Sequence, residues 1–221
     1  MKKISLLSVL LLFGCQAVEE EKITAYENAT DKAIYQEAKK LEQEGDAKQA
    51  SIAYSALRAY HPESQLVQKS LNDSLILHVN HHESEEAIEV ATRIIDWYPV
   101  GKLAEKAYYY RAKSRLAMHR SWAQKKLNID PADISRQRLE DARADLNHIL
   151  LEYPQGLYLT KAKFEIKKIN RLLARHQIHI AKFYAKSGNY KAAISRAQDA
   201  IKIDPSIKNI ANTLIKSYKH V

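Results

Sequence analysis

The stretch that decides the fold is Ala181-Lys182-Phe183-Tyr184-Ala185-Lys186-Ser187-Gly188-Asn189-Tyr190-Lys191-Ala192-Ala193-Ile194-Ser195-Arg196-Ala197-Gln198-Asp199-Ala200-Ile201-Lys202-Ile203-Asp204-Pro205. Apolar and small residues recur at helical spacing on both sides of Gly188, and Pro205 closes the run. This is the pattern of two amphipathic helices joined by a tight turn. Farther back in the chain, Ala38, Gly45, Ala50, Leu57 and Pro62 fall at the offsets of Ala181, Gly188, Ala193, Ala200 and Pro205. The small residues belong where two helices cross, with larger side chains filling the space beside them. Gly45 supplies the left-handed backbone that ends a helix at little cost.

These offsets match the tetratricopeptide repeat. The first unit runs from Asp31 to Pro62, with Ile34, Ala38 and Leu41 on its first helix and Ala50, Tyr54 and Leu57 on its second. A second unit spans Leu66 to Pro99, with Leu71, Leu75, Ala87, Ala91 and Ile94 as its stripe. A third runs from about Leu103 to Pro154, carrying Ala112 and Leu116, then Ala142, Leu146 and Ile149. Only five Gly and five Pro interrupt 221 residues, and no strand-type alternation is present. The expected fold is all-α, a tetratricopeptide-like helical repeat array over 31–221, of about four helix pairs plus a C-terminal capping helix.

The chain departs from a plain array in three places. Arg120 to Ile129 is an insertion in the third unit, carrying Trp122, Leu127 and Ile129 and followed by Asp130-Pro131, a helix-starting pair. Tyr158 to Ser187 holds no Gly or Pro, which predicts one long helix or two collinear ones. At the end, Ile207, Ile210, Ala211, Leu214, Ile215 and Tyr218 form one apolar stripe opposite a polar face, as a capping helix requires.

The beginning is of another kind. Met1-Lys2-Lys3, an apolar run from Ile4 to Phe13, then Gly14-Cys15 describe a secretory signal peptide over residues 1–15. Ten apolar residues reach about half of a hydrocarbon core near 30 Å, too little to span it. Cys15, the only cysteine, stands where Leu12-Phe13-Gly14-Cys15 resembles a lipobox, so it is the expected acylation site. Phe13 occupies a position where a small residue is usual, and ordinary cleavage after Ala17 is the second reading. Each buried acyl methylene contributes about 0.8 kcal/mol to anchoring. Gln16, rather than Asp, follows the cysteine and favours the outer membrane. Residues 16–30 read as a tether.

The charge of +9 falls to +7 once Lys2 and Lys3 leave with the signal peptide. Export argues against nucleic acid as a partner, and Lys39, Lys106, Lys113, Lys163 and Lys182 are spread along helix faces among glutamates. His78, His81 and His82 cluster at one turn, and His176 and His179 lie three apart, but neither set carries a zinc-type ligand arrangement. No phosphate-binding glycine loop, nucleophile elbow or HExxH motif occurs. The sequence therefore predicts no catalytic residues, no metal, no cofactor and no enzyme. Thirteen tyrosines include Tyr108-Tyr109-Tyr110, of which at least one should face a groove or solvent. Tyr35, Lys39 and Glu42 share the face of the first helix that such arrays turn inward, where an aromatic body among charges would hold an extended peptide.

Taken in order, the features become specific: a lipobox, a polar tether, helix pairs from Asp31, an inserted third unit, then Glu152-Tyr153-Pro154-Gln155-Gly156-Leu157-Tyr158 and a long helix. This order resembles the BamD (ComL, YfiO) family, lipoproteins of the outer-membrane β-barrel assembly machine. The resemblance covers the mature chain and is most specific from Tyr110-Arg111-Ala112 through Pro205. It implies a lipid-anchored scaffold on the periplasmic face of the outer membrane. The implied partners are the barrel-forming subunit, other assembly-machine lipoproteins and unfolded outer-membrane proteins. Arg196, in Ile194-Ser195-Arg196-Ala197, matches a family position associated with the barrel-forming subunit. Family members usually finish with one more helix after the position of Tyr218, and the contacts of that helix are not among those the resemblance carries over. The second reading is a lipid-anchored tetratricopeptide adaptor of another envelope machine, such as a pilus pilotin or a peptidoglycan enzyme regulator, which would lack the inserted third unit.

Overall fold

The computed structural model describes residues 23–118 and 136–219. Cys15, the first part of the tether and the insertion from Arg120 to Asp130-Pro131 lie outside them. The described residues form α-helices and one short 3-10 turn, with no strand. They fall into two compact units, the first ending at Trp97 and the second beginning at Tyr98.

In the first unit, α1 (Asp31–Glu44) pairs with α2 (Ala47–Tyr60), and α3 (Leu66–Asn80) with α4 (Ser84–Trp97). The Thr30 side chain accepts from the Ala33 N–H to start α1. Gly45, at φ +83°, ends it, and the Gly45 and Asp46 N–H groups turn back to the carbonyls of Glu42 and Leu41. Asp46 then caps α2 by accepting from Gln49 N–H. Two residues thus close one helix and open the next. The crossing residues Ala38, Ala50, Tyr54 and Leu57 are fully buried, as are Leu71, Leu75, Ala87, Ala91 and Ile94 at equivalent places in the second pair.

The second pair makes the same turn without glycine. His82 holds φ +60°, and the N–H groups of His82 and Glu83 reach back to Val79 and His78. Ahead of α1, the end of the segment read as tether is a turn, with Tyr26, Glu27 and Ala29 N–H groups donating three residues back. The Ala29 carbonyl takes a 2.7 Å contact from His61, and Ser64 donates to Asp31 at 2.6 Å.

The second unit contains α5 (Lys102–Ala117), α6 (Arg136–Glu152), α7 (Leu159–Lys186), α8 (Tyr190–Ile203), the 3-10 turn Pro205–Ile207 and α9 (Lys208–Lys219). The 28 residues of α7 are one continuous helix. Its first half shares a core with α5 and α6, through Ala162, Ile169 and Leu173 against Ala112, Leu139, Leu146 and Ile149. Its second half shares another with α8 and α9, through Ala174, Ile178 and Ala181 against Ala197, Ala200 and Ala211. Gly188 (φ +74°) and Asn189 repeat the turn of Gly45 and Asp46, down to the Asn189 side chain accepting from Ala192 N–H. The 3-10 turn buries Ile207 and capping helix α9 buries Ala211, with Leu214 and Ile215 beside them, while Ile210 stays 57% exposed at the edge of the stripe. The array is thus tetratricopeptide-like, with four helix pairs and a terminal helix among the described residues.

Candidate functional site

Tyr35, Lys39 and Glu42 lie on successive turns of α1 and join one polar network across three helices. The Tyr35 hydroxyl donates to Asp73 Oδ2 on α3 at 2.6 Å. Lys39 Nζ donates to Glu42 Oε2 at 2.7 Å and stands 3.7 Å from Asp73. Tyr54, from α2, donates to the same Glu42 oxygen at 2.9 Å. The rings of Tyr35 and Tyr54 are 6.2 Å apart, and Lys69 Nζ sits 5.0 Å from the Tyr35 ring centre. Burial, then the neighbouring carboxylates, push both phenols up from their ordinary value, Tyr35 through Asp73 and Tyr54 through Glu42. Burial acts to lower Lys39, but Glu42 and Asp73 outweigh it and hold the ammonium above its usual range.

These three residues therefore hold α1 to α2 and α3, and what they present outward is the flank of a charged, aromatic strip. The sequence reading missed Asp73, which completes the network. The signal for it was a carboxylate set between the stripe residues Leu71 and Leu75.

Arg196 belongs to the second unit. It is half-buried on α8, and its Nη1 donates to Gln177 Oε1 of α7 at 3.4 Å, near the limit of a hydrogen bond. The guanidinium is thus held loosely on the helix surface.

The histidine clusters have separate places. His78 is buried, its Nδ1 donating to Glu83 at 2.7 Å and its Nε2 lying 3.1 Å from the Ser51 hydroxyl, so it joins α3 to α2 and to the following turn. His81 and His82 are exposed. Among the described residues no three His, Cys, Asp or Glu side chains group as a metal site would need.

In the tyrosine run, Tyr109 is buried and stacks on Tyr158 at 4.7 Å, Tyr110 meets Tyr158 edge-on, and Tyr108 lies 4.0 Å from the His148 ring. Tyr108 and Tyr110 are the partly exposed members.

Asp145 and Glu105 are among the buried carboxylates that escaped the sequence reading. Asp145 on α6 is met by Arg111 and Arg115 of α5. Glu105 on α5 accepts from the N–H groups of Leu157 at 3.2 Å and Tyr158 at 2.7 Å, holding the turn that leads into α7. A Cβ at Gly156 would stand 2.1 Å from Glu105 Oε1, which explains the glycine in Pro154-Gln155-Gly156-Leu157. Among the described residues, no helix is long and apolar enough to cross a membrane.

Residues 27–220 match the YfiO family, described as outer membrane lipoprotein. An "Outer membrane protein assembly factor BamD" of Pasteurella multocida is 24% identical over 170 residues, 77% of this chain and 65% of that protein. Its namesake in Caulobacter vibrioides is 25% identical over 190 residues, 85% of this chain and 58% of that protein. A third, in Vibrio cholerae, is 23% identical over 209 residues, 95% of this chain and 85% of that protein. The chain therefore spans just under two thirds of the first of these relatives and less of the second. A thermophilic TPR protein of Thermus thermophilus with a solved structure matches 87% of this chain and 100% of its own, at TM-score 0.40 and 13% identity, too distant to bear on the fold or function.

Proposed function

This chain belongs to the YfiO family of outer membrane lipoproteins, and we propose that it is an outer membrane protein assembly factor: a non-catalytic scaffold of the β-barrel assembly machine. In this reading it binds the barrel-forming subunit, associates with the machine's other lipoproteins and assists the assembly and insertion of β-barrel proteins. The observation that carries the proposal is the family match over residues 27–220, joined by relatives that bear the name of assembly factor.

Cys15, acylated, would hold the chain on the periplasmic face of the outer membrane. The two remaining candidate surfaces take different tasks. The loosely held Arg196 on α8 is the contact for the barrel-forming subunit. The strip of Tyr35, Lys39 and Glu42 faces unfolded substrate, its geometry already fixed by Asp73 and Tyr54. Within each unit, helix pairs packed side by side suit this work because they present surface for an extended partner.

The test is affinity purification of the lipidated, full-length chain from native membranes at physiological salt. Recovery of the barrel-forming subunit supports the proposal, and its absence overturns it. Arg196→Glu should lower recovery while leaving thermal unfolding unchanged. Undiminished recovery would remove Arg196 from the interface.

A further inference from the structure

The first unit contains a polar cleft of about 330 Å³ that the reading above leaves unused. Arg58, in the last turn of α2, forms part of its wall and is more than nine-tenths buried. Its Nη2 donates to the Ser55 hydroxyl at 2.7 Å, which fixes one edge of the guanidinium. Its Nη1, fully enclosed, has no hydrogen-bond partner. On the facing helix, the Ser74 hydroxyl is also buried, lines the same cleft and has no partner.

An enclosed cation needs an anion, because a guanidinium keeps its charge at any physiological pH and burial without a counter-charge is strongly unfavourable. The two carboxylates at the cleft do not supply it. Glu89 is committed to Arg93 at 2.8 Å and is mostly exposed, and Glu86 is exposed. Burial, then repulsion from Arg93, lowers Arg58 to about 10, with Glu89, the least of the three causes, acting in the other direction.

We infer that this cleft is a carboxylate-binding site, in which a peptide carboxylate takes one oxygen to Arg58 Nη1 and the other to the Ser74 hydroxyl. The charge favours a planar monoanion over phosphate. Arg58 is the cation of the cleft wall left without an anion, Arg93 being held by Glu89, and Glu86 at the border repels a dianion more strongly than a monoanion. Two sources offer such a group. One is an acidic side chain of a partner. The other is the run Glu19-Glu20-Glu21 of this chain, which precedes Ile23, itself part of the cleft wall. The site stands independently of any role in barrel assembly.

The probe is N-acetyl-glutamate amide, titrated into the full chain and followed by NMR at the Arg58 guanidinium and the Ser74 amide. Saturable shifts are expected, with N-acetyl-glutamine amide and inorganic phosphate each binding at least about tenfold more weakly. Arg58→Met should abolish the response, and Ser74→Ala, a milder change that serves if the first variant does not fold, should weaken it several-fold. Equal binding of the glutamine compound, tighter binding of phosphate, or a response unchanged in both variants would overturn the assignment. Replacing Glu19, Glu20 and Glu21 by Gln separates the sources. Tighter probe binding marks the chain's own glutamates as occupant, and unchanged binding leaves the cleft to a partner.

Discussion

The guanidinium of Arg111 meets the carboxylate of Asp145 at two points, Nη2 on Oδ1 at 2.6 Å and Nε on Oδ2 at 3.1 Å. Arg115 closes on Oδ2 from the same helix. One buried carboxylate thus answers two cations, and the arrangement is far more sensitive to losing its centre than to losing an arm. Asp145→Ala would leave both guanidinia without their shared partner and should cost about 3–5 kcal/mol. Replacing all three residues by well-packed apolar ones should cost much less. Urea unfolding of the two variants checks the contrast, and equal losses would refute it.

Gly156→Ala places a methyl where the Glu105 carboxylate now sits. The carboxylate must withdraw, and the N–H groups of Leu157 and Tyr158 lose their acceptor. The expected loss is about 1–3 kcal/mol, seen as a lower unfolding midpoint. Adding Glu105→Ala should then cost little more, since the two changes remove the same contact.

The turns at Gly45 and His82 are one conformation built from different residues. Nothing lies within 4 Å of a Cβ at Gly45, so substitution there reads the backbone term alone. Gly45→Ala should destabilise by about 1–2 kcal/mol. His82→Gly should stabilise, by up to about 1 kcal/mol, because the relief of a left-handed side chain exceeds the added freedom of the unfolded chain. Thermal unfolding of the pair should move in opposite directions.

Ala193 is fully buried at a helix crossing. Ala193→Leu should overpack it and cost about 1–3 kcal/mol, whereas Ala192→Leu, on the half-exposed neighbour, should change little. An unchanged unfolding midpoint for Ala193→Leu would displace the repeat register.

Alkaline pH should weaken both units through their tyrosines. Burial, then Tyr110, pushes Tyr158 up to about 12 from an ordinary 10.0. A raised phenol keeps its proton longer in the folded chain than in the unfolded one. Its contribution is therefore complete below about pH 10 and is lost as pH rises through the folded value near 12. Tyr35 and Tyr54 shift in the same direction. Tyrosinate absorbance should lag the ordinary titration in the native chain, and Tyr158→Phe should remove part of the lagging component.

The repeat was legible because the constraint on it is local and recurrent. A helix crossing demands Ala at fixed distances from a turn, and Ala38, Ala50, Ala181 and Ala193 meet that demand in plain view. The unbroken α7 was legible from the absence of Gly and Pro between Tyr158 and Ser187. What escaped depends on residues far apart in the chain. Arg111 and Asp145 are separated by 34 positions and Glu105 and Tyr158 by 53, so no periodicity links them. His82 was hidden for another reason: its turn needs a left-handed backbone angle, and the sequence offers there no glycine to announce it. Of the candidate strip, Tyr35, Lys39 and Glu42 could be placed on one face, but the Asp73 and Tyr54 that hold them arrive from other helices.

Because α7 is built into two cores without an interruption, the described part of the second unit has no break in that helix at which the two cores part. Frayed packing around α8 and α9 tugs on the very backbone that stabilises α5 and α6, so a load applied at the chain's far end is felt at the beginning of the unit. The second unit should therefore unfold cooperatively, and the amide protons near Leu173 and Ala174, where one core hands over to the other, should be the last to exchange.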